Sequence, residues 1–134
     1  MFKLERLTAI AAIGFVAACN QTGNIPAPNL SGPVDPSATA VFTLAVAPDS
    51  VEGCFLGDSS MTRPITVTVR NDKALFQTDG GIHDELTRIR PGVYFDNFQV
   101  GFVEMKIEAD FSSTPKRLRV QSFDGTCKWV ATAP

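Results

Sequence analysis

The chain has 134 residues, the length of one ordinary domain. Its formal charge is −2, from 12 Lys and Arg against 14 Asp and Glu, which excludes a nucleic-acid binder carried by a general basic field and also a highly charged disordered chain. Apolar residues make up 44% and charged residues 19%, so a buried core is within reach, while ten glycines and nine prolines foretell many turns and few long helices.

The N-terminus opens with Lys3, Glu5 and Arg6, a net +1, and continues with twelve charge-free residues, Leu7 to Ala18. As a helix that run would be about 18 Å long, well short of the roughly 30 Å hydrocarbon core, so it reads as the apolar region of a secretory signal rather than a membrane span. The run ends Val16-Ala17-Ala18-Cys19. This resembles the lipobox of bacterial lipoproteins, in which an aliphatic residue and two small ones precede the lipidated cysteine. The resemblance covers residues 1–19 only. It implies that residues 1–18 are removed and that Cys19 receives a diacylglyceryl thioether, so that one partner of the chain is a membrane, reached through this lipid. Small side chains at 17 and 18 let a peptidase approach the backbone, and the thiol is the nucleophile for alkylation. The alternative is an ordinary signal cut at an Ala-x-Ala site. Asn20, in place of the Asp that marks inner-membrane retention in the enteric sorting rule, points to the outer membrane, facing the periplasm.

Three cysteines in an exported chain leave an odd thiol, and lipidation of Cys19 removes it. Cys54 and Cys127 then form an even pair in an oxidising compartment, and a disulfide between them is expected. It would close a loop of 73 residues, worth roughly 4 kcal/mol in the chain-entropy model. A single histidine, His83, and the lack of a Cys-x-x-Cys pair argue against a metal site, and no cofactor is expected.

Residues 19–40 hold the lipidated cysteine and a segment with four prolines, two glycines and no apolar period. They read as an extended tether, able to span about 65 Å at ~3.1 Å per residue. The domain occupies 41–134. An apolar run at 41–47 precedes eight expected strands near 51–56, 64–70, 73–78, 84–90, 93–98, 101–111, 116–123 and 126–132. The clearest runs from Val103 to Phe111, with apolar odd positions and charged even ones. Asn71-Asp72 and Pro91-Gly92 read as turns, and Asp124-Gly125 as a two-residue hairpin. Ile82, Leu86 and Ile89 also fit one helical stripe.

Antiparallel strands with short connections form a meander, and eight can close into a small barrel. An all-β barrel is therefore the expected fold, with a β-sandwich as the alternative. Closure would set the first strand beside the last, where Cys54 and Cys127 pin the seam. The immunoglobulin hallmarks are missing, because Trp129 follows the second cysteine and Gly125 stands at the tyrosine-corner position. Eight phenylalanines in the domain (42, 55, 76, 95, 98, 102, 111 and 123), with Tyr94 and Trp129, suggest an interior filled by rings rather than a ligand cavity.

Candidate chemistry is sparse. The stretch Asp79 to Glu85 gathers His83 with three carboxylates, but the spacing matches no calcium loop or zinc motif and reads as a solvated turn. Any Ser–His–acid triad would have to use His83, and no Gly-x-Ser-x-Gly elbow is present. Lys116, Arg117 and Arg119, near Lys128, form a small basic patch that could meet anionic lipid or an acidic partner, although removal of residues 1–18 leaves 10 basic against 13 acidic side chains. The expected function is that of a lipid-anchored, non-enzymatic binding or structural module of the cell envelope, whose partner is an envelope protein and not nucleic acid. An inhibitor of a protease or lysozyme, or a carrier of a small hydrophobic ligand, are the alternatives.

Overall fold

The computed structural model describes residues 27–28, 30, 32–54, 59–100 and 102–134. The expected signal, Cys19 and most of the expected tether lie outside the described residues. Nine strands form one antiparallel sheet: β1 (Ala38–Phe42), β2 (Ala45–Val46), β3 (Ile65–Arg70), β4 (Lys73–Thr78), β5 (His83–Arg90), β6 (Val93–Val100), β7 (Val103–Asp110), β8 (Lys116–Ser122) and β9 (Lys128–Ala133). A 3-10 turn at Ser59–Thr62 is the one helical element among the described residues.

The strand order is β1-β3-β4-β5-β6-β7-β8-β9-β2. β3 to β9 are a plain meander, each strand paired with the next. The two strands at the ends of that order, β1 and β2, are separated in the chain by Thr43 and Leu44 alone. One segment, 38–46, thus pairs with β3 at one edge and β9 at the other, and the sheet curls back on itself like a barrel. Curling removes the open edges that would otherwise offer unpaired backbone to another chain.

The closing segment differs from the expected one. Residues 51–54 form a turn, with Gly53 at φ +82°, and not a strand; 55–58 lie outside the described residues. Strand structure begins instead at Ala38, inside the expected tether. The reason is alternation: Ala40, Phe42 and Leu44 are buried while Thr39, Val41 and Thr43 are exposed, the period of a half-buried strand. The potential helix at 82–90 is a strand, with Leu86 and Arg88 buried and Ile89 at a register shift.

Inward side chains fill the curl. Phe42, Ile65, Val67, Phe76, Leu86, Tyr94, Ile107, Leu118 and Val120 are completely buried. Phe111 meets Phe42 and Tyr94 edge-on at centroid distances of 6.3 and 6.4 Å, and Phe76 lies 5.8 Å from Phe98. Two expected core rings are outside instead: Phe102 is fully exposed and Phe123 about half exposed.

The turns set the two ends. At one end lie the 70–73, 90–93 and 110–116 connections together with residues 32–38, the last part of the expected tether, and this end is called the tether end. Asn71 and Asp72, at φ +52° and +62°, make a two-residue turn of the type that matches strand twist. Gly92 has φ +76°, and a Cβ there would stand 2.9 Å from the Cβ of Ser112, so both its backbone and its packing require glycine. The far end carries the 78–83, 100–103 and 122–128 connections.

Candidate functional site

At the far-end seam, Cys54 and Cys127 are disulfide-bonded, with Cα atoms 5.6 Å apart. Neither lies in a strand. Cys127 immediately precedes β9, because the β8–β9 connection is longer than the two-residue hairpin expected at Asp124-Gly125. Asp124 accepts hydrogen bonds from the Thr126 amide and from the Ser122 and Thr126 hydroxyls, and this local bonding displaces the strand ladder. The same bonds hold the Asp124 carboxyl below its ordinary pKa, the Thr126 amide foremost. Ser50 stitches the seam next to the disulfide. Its hydroxyl donates to the Lys128 carbonyl and accepts from the Lys128 amide, each at 2.7 Å.

At the tether end, Arg88 is completely buried, an unusual place for a guanidinium. Its Nη1 donates to Asp72 Oδ1 at 2.9 Å, and its Nε lies 3.4 Å from Asp35 Oδ2. That Asp35 oxygen also accepts from the Tyr94 hydroxyl and, at 2.9 Å, from the Gly92 amide. Burial, and then the bond to Asp35, raise the Tyr94 pKa, so the phenol stays protonated. Two carboxylates and a phenol around one guanidinium meet the requirement that a buried charge be paired and hydrogen-bonded. Reading the sequence missed this group. The only available signal was the polar residue Arg88 at an inward position of an alternating run.

The Asp79–Glu85 stretch is pulled apart by strand geometry. His83 and Glu85 are exposed, and Glu85 pairs with Lys73 on β4. Asp84 turns inward, where burial and a hydrogen bond with Asp96 push its pKa up to about 6. Its Oδ2 is buried without a hydrogen-bond partner. Among the described residues no group of His, Cys, Asp and Glu is placed to hold a metal ion.

The basic patch is divided. Lys116 sits at the tether-end rim, its ammonium bonded to the Pro134 carbonyl. Arg117 and Arg119 point outward from β8, in register with Asp110 and Glu108 of β7. Lys128 is held by Asp49 at 2.7 Å, which keeps that carboxyl below its ordinary pKa. A carboxylate of β7 thus stands opposite each of the two arginines of the basic patch.

Exposed apolar side chains also occur at the far end. Phe102 and Val103, at the β6–β7 tip, and Phe123, at the β8–β9 tip, are all exposed at the far end, with Lys106 Nζ 5.2 Å from the Phe123 ring centroid. The 100–103 and 122–128 connections are neighbours because β7 pairs with β8.

No protein-family model matches the chain, and no curated protein or solved structure shows significant similarity to it.

Proposed function

We propose that this chain is a lipid-anchored protein of the bacterial cell envelope, held by acylated Cys19 in the outer membrane, that works without catalysis by gripping an envelope protein. The observation that carries the reading is the exposed apolar tip of Phe102, Val103 and Phe123 at the end opposite the tether. Large apolar side chains exposed on neighbouring connections mark a contact surface. The interior, occupied by Phe42, Phe76, Leu86 and Tyr94, supports action through the outside rather than carriage of a small ligand.

A protruding tip would also suit an inhibitor that enters the groove of a protease or lysozyme, and the same experiment separates the two. The acylated chain, recovered from envelope extracts after crosslinking, should bring down a defined protein that is lost with Phe102→Asp and retained with Arg119→Glu. Both side chains are exposed, so neither change should disturb folding. Inhibition of the captured protein's hydrolytic activity would identify an inhibitor. Capture indifferent to Phe102→Asp would overturn the tip as the contact.

A further inference from the structure

We propose that the tether end of the barrel is a docking face for an anionic lipid surface, so that the domain sits on the membrane with a fixed end down instead of tumbling on its tether. The inference rests on the reading of Cys19 as the lipid attachment.

Charge is distributed along the barrel axis. At the tether-end rim Arg70, Arg90 and Arg117 are exposed, and among the described residues none of them makes an ion pair. The Lys116 ammonium, on the same rim, donates to the Pro134 carbonyl. Of the carboxylates at this end, Asp35 and Asp72 are engaged with the buried Arg88, while Asp110, hydrogen-bonded to Ser112 and Ser113 and in register with Arg117, is an acidic group on a rim where the four cations outnumber it. At the far end the exposed charges are mainly acidic, with Glu52, Asp79, Glu104 and Asp124. An anionic surface attracts the first rim and repels the second, which amounts to a torque on the whole domain.

The face has an apolar floor. An open hollow of about 380 Å³ lies between the turns, walled by Ala38, Val69, Pro91, Tyr94 and Phe111. Cations around an apolar centre suit the boundary between phosphate headgroups and acyl chains. The chain itself supplies the address. Asp35, fixed to Arg88, Gly92 and Tyr94, brings the tether in at the mouth of this hollow, sixteen residues after Cys19. The segment that leads to the membrane therefore leaves from the basic end. Docking here also turns the Phe102 tip toward the aqueous space, where a partner can reach it.

The test uses the acylated full chain in vesicles of phosphatidylethanolamine, alone or mixed with phosphatidylglycerol, with headgroup-attached quencher. A fluorophore is placed at Ser37→Cys, at the tether end, or at Asp79→Cys, at the far end; both sites are exposed. On anionic vesicles at low salt the Ser37→Cys label should be quenched and the Asp79→Cys label not. The difference should fade in high salt and on phosphatidylethanolamine alone. Each rim cation contributes a factor of about five near an anionic surface, so reversing Arg70, Arg90 and Arg117 to Glu should lower the docking constant by about a hundredfold or more. A vesicle-bound chain whose two labels are quenched equally, or whose quenching ignores the reversals, overturns the docking face; the rim would then be free for an acidic protein. A chain found without acyl groups that still binds anionic vesicles by the same rim overturns the anchor and leaves the face standing. One that is neither acylated nor bound overturns both.

Discussion

Asp35 and Arg88, 53 positions apart in the chain, meet at the mouth of the barrel, where Nε stands 3.4 Å from Oδ2 and the guanidinium is completely buried. The contact joins the segment arriving from the tether to the middle of the sheet. Asp35 is held there by Tyr94 and Gly92 as well, so the chain entering β1 is fixed to the sheet at one carboxylate.

Removing one side of a buried pair costs more than the pair contributes, because the remaining charge keeps its desolvation penalty without its compensation. Asp35→Asn should therefore destabilise the domain by about 3 kcal/mol. It should also raise protease cleavage before Ala38, as the entering segment loses its hold. Urea unfolding and limited proteolysis read the two effects. An unchanged midpoint would mean that Asp72 alone satisfies Arg88.

The inward carboxyl of Asp84 makes stability depend on pH. Its folded pKa, about 6, lies above the ordinary value of 3.8. Below the ordinary value the group is protonated in both states, and its contribution is fully present. As pH rises through about 6 the folded state must surrender a proton it favours, and the contribution is lost. Asp84→Asn should accordingly stabilise the domain by about 1 kcal/mol near neutral pH, a figure held down by screening at this half-buried site, and by almost nothing near pH 4. Denaturant titrations of both proteins across that range check the sign; a gain that is constant with pH would count against it.

The disulfide holds a seam that already has backbone and Ser50 hydrogen bonds. Its loss should cost about 4 kcal/mol by chain entropy over the 73-residue loop. The paired variant Cys54→Ser/Cys127→Ser should melt lower but remain β-rich by circular dichroism, since the interior does not depend on the bridge. Complete unfolding of that variant would show that the core alone is insufficient.

Acylation of Cys19 is checked by mass spectrometry of the chain isolated from membranes. Cys19→Ser should carry no lipid and leave the signal uncut or cut elsewhere. A variant that still fractionates as an acylated membrane protein would end the lipoprotein reading.

Some of this molecule is written in short-range pattern. The alternation of Ile65–Arg70 and Val103–Asp110, and the turn residues Asn71-Asp72 and Pro91-Gly92, determine strands and hairpins because each depends on neighbours a few residues away. Cys54 and Cys127 could be matched by counting, given one cysteine reserved for lipid. What closes the sheet was decided only by the fold. Residues 38–46 take that place because they present Ala40, Phe42 and Leu44 to the interior while reaching both β3 and β9. The burial of Arg88, the grip on Asp35, the inward turn of Asp84 and the outward position of Phe102 were settled the same way. A side chain's surroundings come from elements distant in sequence, and the energy of a charge or a ring depends on whether those elements exclude water from it.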